Sequence, residues 1–151
     1  MSTRSHIGIR NEDGSLDVIY CHWDGYPSYN GAVLFHHCQE PEKIRELIAL
    51  GDISSLAASV KPAEGEHTFD SPQDGVTVAY GRDRGEDGTE PLQYGSVDEY
   101  TRDLKLPRNY LRVEYAYLYR EAEAAWYWVP VQENGHLPEF QPLTNRDALI
   151  A

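Results

Sequence analysis

The sequence predicts an α+β fold, a mostly antiparallel sheet of four to five strands with two to three helices packed on one face. Three observations carry that expectation. Apolar and polar residues alternate, as strands require, at 6–10, 17–22 and 111–120. A 3.6-residue apolar period through Ile44, Leu47 and Ile48, and a capping-box pair Ser96 and Glu99, mark helices. Turn-forming Gly, Pro, Asn and Asp punctuate the chain between these segments.

In chain order, Ile7 and Ile9 share one face of a first strand, and Val18 and Tyr20 share one face of a second. Between them Asn11-Glu12-Asp13-Gly14-Ser15 contains Asp-Gly, whose residues tolerate the positive φ of a tight hairpin turn. Asp24-Gly25-Tyr26-Pro27 is a turn, and Ser28 is placed to cap a helix reaching Cys38. Pro41 suits the first turn of a second helix, and Gly51 suits the residue just past its end. Residues 52–75 read as an irregular connection, 76–80 as a third strand and 81–95 as a polar loop. A helix capped by Ser96 runs through Leu104 and is ended by Pro107. The segment 111–120 alternates, with Val113, Tyr115, Tyr117 and Tyr119 on one face, and 126–132 pairs back on it, with Pro130 marking an edge strand. The tail from residue 134 carries turn signals and a last helical turn.

A length of 151 residues suits one domain, and no repeat or long linker divides the chain. Hydrophobic residues at 40% and charged residues at 25% exclude a disordered tail, and no apolar run is long enough to span a bilayer. Residues 1–6 lack the apolar stretch of a signal peptide, so the cytoplasm is the expected compartment and Cys21 and Cys38 are read as buried, reduced thiols. The net charge of −12 excludes long duplex nucleic acid as a ligand, because such binders supply Lys and Arg to displace counterions. Residues 63–103 hold eleven acids against three arginines. That stretch reads as a solvated face, with contact to a basic partner as the alternative.

Two clusters are dense enough to carry chemistry. In Tyr20-Cys21-His22-Trp23-Asp24-Gly25-Tyr26-Pro27, His22 and Asp24 are a candidate acid/base pair and Trp23 and Tyr26 a candidate stacking wall; the plainer reading is that the aromatics staple the helix and Asp24 caps the turn. In Tyr80-Gly81-Arg82-Asp83-Arg84-Gly85-Glu86, two guanidiniums flanked by glycines are the expected anion site, the alternative being internal ion pairs with Asp83 and Glu86. Arg4 and Ser5, just before the first strand, add donors. The candidate ligand-binding set is therefore Arg4, Ser5, Trp23, Tyr26, Arg82 and Arg84. No metal site is expected: Cys21, His22, Asp24, His36, His37 and Cys38 are possible ligands, but no spacing among them fixes two on one side. No cofactor is expected either, since the chain lacks a nucleophile elbow, a phosphate loop and a dinucleotide fingerprint. The tyrosines, eleven in all, read as core and sheet surface, some at a homo-oligomer interface.

Several of these segments together resemble a family of small proteins encoded by phages, prophages and related mobile elements. They are Thr3-Arg4-Ser5-His6-Ile7-Gly8-Ile9, the Asp-Gly turn, Ile19-Tyr20-Cys21-His22-Trp23-Asp24-Gly25-Tyr26-Pro27, the stretch from Leu47 to Leu56, and Arg82-Asp83-Arg84-Gly85-Glu86. The resemblance covers residues 2–100 and brings no catalytic residue with it. It implies an accessory protein acting inside an infected bacterium. The leading functional expectation is a non-catalytic protein that counteracts host defence by binding a host protein or sequestering an anionic nucleotide signal. The alternatives are a small hydrolase of phosphate-containing substrates using His22 and Asp24, and a structural accessory protein.

Overall fold

The computed structural model describes residues 2–149. The hairpin forms where the Asp-Gly turn places it: β1 (Ser5–Arg10) pairs antiparallel with β2 (Leu16–Cys21), and Gly14 takes φ +87° between them. After the turn at Asp24, residues 27–31 make one wide helical turn that passes into α1 (Ala32–His37). The helix placed between Ser28 and Cys38 is therefore present in two coils, the first opened by Pro27 rather than by a Ser28 cap. Next comes α2 (Pro41–Ala49), with Pro41 in its first turn and Ile44, Leu47 and Ile48 buried as the period requires.

The connection read as irregular contains β3 (Ile53–Ser55), which is followed by β4 (Val78–Ala79), α3 (Tyr80–Arg84) and β5 (Leu92–Tyr94). The side chain of Ser96 accepts the N–H of Glu99 at 3.1 Å and caps α4 (Val97–Leu104). Pro107 both ends that helix and opens a short α5 (Pro107–Tyr110). The chain then adds β6 (Tyr115–Arg120), β7 (Ala125–Pro130), β8 (Gln141–Pro142) and α6 (Asn145–Leu149). Pro130 lies at the end of β7, beyond the two residues that β8 covers, so its missing N–H breaks no ladder there.

Two parts of the predicted architecture need correction. The sheet has eight strands rather than four or five, in the order β4-β3-β2-β1-β6-β7-β8 with β5 also pairing β2, and it is mixed: β1 runs parallel to β6 and β2 parallel to β3. Among the described residues there are six short helices rather than two or three, and they pack on both faces rather than one. On one face Ile7, Ile9, Ile19, Cys21, Tyr117, Tyr119 and Trp126 meet Leu34 of α1 and Ile44 and Leu47 of α2. On the other, Leu16, Val18, Ala116, Leu118 and Val129 meet Tyr100 and Leu104 of α4. The physical reason is in the strands themselves: β2 carries Leu16 and Val18 on one side and Ile19 and Cys21 on the other, β6 carries Ala116 and Leu118 opposite Tyr117 and Tyr119, and a sheet apolar on both sides must be covered on both. Val113 falls in the second cluster, because the strand begins at Tyr115 and the preceding turn reverses its facing. Among the described residues no helix is long and apolar enough to cross a membrane.

Gly51 fixes how the middle of the chain returns to the sheet. It takes φ +75° just past α2, and a Cβ there would lie 2.1 Å from the carbonyl oxygen of Thr89. The neighbouring Asp52 N–H donates to that same oxygen at 2.8 Å, so the loop before β5 is held against the helix end. Gly75 has nearly the same φ, +73°, with nothing within 4 Å of its missing Cβ. Gly75→Ala is expected to cost about 1–2 kcal/mol from left-handed strain alone, and Gly51→Ala clearly more because the backbone of Thr89 must also move. Urea unfolding of the two variants measures the difference, and equal losses would disprove the clash.

Candidate functional site

The residues singled out in the sequence do not converge. Arg82 is spent internally: Nη1 donates to the Val60 carbonyl at 2.7 Å, Nη2 to the Thr77 carbonyl at 2.6 Å, and Nε to Asp83 Oδ1 at 2.8 Å. Asp83 Oδ2 also accepts from the backbone of Ala79 and meets His67 Nε2 at 3.2 Å, with both side chains 3% exposed. Burial of Asp83 works to raise its pKa, and the hydrogen bonds from Arg82, Ala79 and His67 outweigh it, so its carboxyl sits below its ordinary value. Arg84 pairs with Glu86 and lies over the rings of Phe69, at 4.2 Å, and Tyr80, at 5.0 Å. The glycine-flanked arginine segment, expected as part of a polar loop, is instead α3 with Gly85 at its end, and its internal ion pairs pin the segment from Val60 to Thr77.

The first cluster is likewise structural in its geometry. Ser5 is buried and its Oγ accepts from Asn30 Nδ2 at 3.0 Å. His22 Nδ1 meets the Tyr20 hydroxyl at 2.9 Å, while Asp24, at φ +57°, accepts from the Tyr26 hydroxyl at 3.3 Å. His22 and Asp24 share no hydrogen bond, so the acid/base pair is not assembled. Burial, and then the charge of Arg4, lower the pKa of His22. Trp23 is 42% exposed and meets His22 edge to face. Arg4 is half-buried, with Nε donating to Ser2 Oγ. Cys21 and Cys38 are free and buried, and burial pushes both thiols up to about 11. His36 and His37 are exposed on α1, and no three possible metal ligands gather among the described residues.

A different set of residues does converge. β2 has a split outer edge: it pairs with β5 through Leu16–Val18 and with β3 at Cys21 alone, leaving Ile19 and Tyr20 without a strand beside them. The Tyr20 N–H exposed by that gap donates to Asp52 Oδ1 at 3.0 Å. A partly enclosed cavity of about 140 Å³ opens there, floored by His6, Val18, Ile19 and Tyr20. Its walls are Asn109 of α5, Arg112 and Val113 from the turn after it, Gly88 and Glu90 from the loop that Gly51 holds in place, and Leu92 at the start of β5.

Three polar groups on this cavity have capacity that the protein does not use. His6 is buried with Nδ1 2.9 Å from the Tyr100 hydroxyl, the only partner that this fully buried tyrosine has among the described residues. A buried hydroxyl is satisfied by donating, so Tyr100 O–H gives to Nδ1 and the His6 proton resides on Nε2, which has no protein partner. Burial first, and then the Arg112 charge, hold the His6 pKa down to about 4, against a small opposing pull from Asp103, so the ring is a neutral donor. Asp52 keeps Oδ2 free of protein donors; its burial raises its pKa, opposed by the Tyr20 N–H and by Arg112. Arg112 is exposed, lies 5.4 Å over the Tyr20 ring and forms no ion pair among the described residues. A neutral N–H donor, a carboxylate acceptor and an unpaired guanidinium therefore meet at one opening.

Sequence reading missed this site because His6, Tyr20, Asp52 and Arg112 come from four separate segments. The one available signal was His6 itself, a polar residue in a strand whose two neighbours in sequence are buried. Compared with protein-family models, curated proteins and solved structures, the chain matches none.

The His6 shift has a definite consequence for stability. With the folded pKa below the unfolded one, the unfolded chain takes up the proton first, so this contribution is present above about pH 6.5 and is lost as pH falls toward 4, by about 3 kcal/mol in all. His6→Gln is expected to remove that slope. Urea unfolding of both proteins between pH 4 and 7.5 measures it, and parallel curves would refute the assignment.

Proposed function

We propose that the chain is a non-catalytic binding protein for a small phosphate-bearing ligand of the nucleotide class, held at the split edge of β2. The supporting observation is that His6, Asp52 and Arg112 line one cavity while His6 Nε2, Asp52 Oδ2 and the Arg112 guanidinium make no hydrogen bond or ion pair among the described residues. Each group matches part of such a ligand. A guanidinium forks onto phosphate oxygens, and a carboxylate accepts from the hydroxyls of a ribose, as acidic residues do in dinucleotide sites. The neutral His6 N–H can donate to either.

Size limits the fit. Cavities for drug-sized ligands hold roughly 300–1,000 Å³, and 140 Å³ admits a phosphate or a sugar but not a whole nucleotide. The base then lies outside, over Leu92, which is 57% exposed at the rim. The separation of His22 from Asp24 leaves the hydrolase reading without its acid/base pair, which favours holding the ligand over turning it over. Such a binder fits the context implied by the phage-type resemblance, an accessory protein that withdraws a host nucleotide signal.

Adenosine 5′-monophosphate, titrated calorimetrically, is the direct probe. Binding is expected to weaken at least ten-fold in Arg112→Gln, the loss of a charge-assisted pair worth about 1.5–3 kcal/mol, and to be unchanged in Arg84→Gln. No binding to the wild type, or loss in Arg84→Gln with retention in Arg112→Gln, would overturn the reading. An unchanged nucleotide after prolonged incubation, assayed by chromatography, is expected alongside.

A further inference from the structure

The same face of the sheet carries a second group of unsatisfied cations, at the other end of β1. Ile7 and Ile9 face the α1/α2 side, so Arg10 faces the α4 side with His6. On β6, Tyr117 and Tyr119 face α1/α2 and Arg120 faces α4. Arg10 and Arg120 are register partners across the parallel β1/β6 ladder. Their Cα atoms are thus about 4.8 Å apart, with both side chains leaving the same face.

Like charges directly side by side on a sheet repel, and a sequence normally separates them or sets an acid between. Here 25 acids are available against 13 bases, and Arg45, Arg82, Arg84 and Arg108 each take a carboxylate. Arg10 and Arg120 take none among the described residues, nor does either donate to a backbone carbonyl. Arg10 Nε is buried with no acceptor at all. Arg120 is held in place by the face of Tyr127, 3.8 Å from guanidinium carbon to ring centroid, which orients the planar fork without consuming its N–H groups. Two unpaired guanidiniums at one register of neighbouring strands, one of them held by an aromatic face, have the donor count and spacing to share one tetrahedral dianion.

We propose that Arg10 and Arg120, with Arg120 braced on Tyr127, form a clamp for a dianionic phosphate group. The clamp is separate from the β2 cavity: His6 and Arg10 lie four residues apart on β1, about 13 Å. It does not rest on the function proposed for that cavity.

Inorganic phosphate is the probe, followed by thermal unfolding at constant ionic strength against sodium chloride, and by phosphorus-31 line broadening. Phosphate is expected to raise the melting temperature saturably beyond chloride. In an Arg112→Gln background, which removes the guanidinium of the β2 cavity, Arg10→Gln and Arg120→Gln are each expected to weaken the apparent Kd at least ten-fold, with Arg84→Gln retaining the effect. Arg10→Lys with Arg120→Lys keeps both charges without the forks and guards against a folding defect; it is expected to lose most of the phosphate-specific shift. Phosphate and chloride acting alike on the wild type would overturn the clamp. So would, in the Arg112→Gln background, a phosphate effect that survives in the lysine variant, or one that is already absent with Arg10 and Arg120 intact.

Discussion

Everything else in this fold depends on β1 being shared. All six of its residues pair antiparallel with β2 on one side and parallel with β6 on the other. That position makes β1 an interior strand with both faces covered, and it joins the opening hairpin to a strand more than ninety residues later. The two hydrophobic clusters follow from it, one behind Ile7 and Ile9 and one around Leu118 and Val18. A polar side chain on such a strand is costly unless it has a partner, and His6 finds one in Tyr100.

The functional geometry is a consequence of how unevenly that sheet is finished. β2 is covered outside by two short strands, β5 and β3, that do not meet, and the gap between them is closed by the Asp52 side chain rather than by backbone. A sheet edge closed by a carboxylate is polar and unevenly packed, which is the kind of place where a small ligand can replace water. Gly51 holds the Thr89 loop against the end of α2, and Asn109 of α5 and Arg112 just after it reach the same opening, so backbone constraints rather than loose side chains set its walls. The acid-rich middle of the chain is largely the exposed face its charge suggests, with Glu64, Glu66, Asp70, Asp74, Asp87, Asp98 and Glu99 among its exposed acids. Within it Asp83 and Glu86 neutralise Arg82 and Arg84, while Arg112 and the Arg10–Arg120 pair take no carboxylate among the described residues.

What the sequence made legible was local. The Asp-Gly hairpin, the amphipathic α2 and the Ser96 cap are each decided by a few neighbouring residues, and each is present, whereas the strand of Pro130 is not the edge: β8 pairs with it at Tyr127 and Trp128. β3, β4, β5 and β8 have two or three residues, too few to show a period, and they account for most of the difference between the expected and observed sheets. The parallel pairing of β1 and β6 has no local signature, because alternation looks the same whichever way a strand runs. The helices fell on both faces since the apolar stripe of α4 selects the side of Leu16 and Val18. For the site, the two dense clusters drew attention through composition, yet their polar groups are satisfied within the protein. The cavity assembles single residues from positions 6, 20, 52 and 112, which only the folded sheet brings together.

The central claim, that the β2 gap and not the arginine loop receives an anionic ligand, is tested most directly by amide chemical-shift mapping of the isotopically labelled protein during titration with adenosine 5′-monophosphate. The account predicts saturable shifts concentrated at Tyr20, Asp52, Glu90, Asn109 and Arg112, with residues 80–86 unmoved. Shifts confined to residues 80–86, or none at millimolar nucleotide, would contradict it.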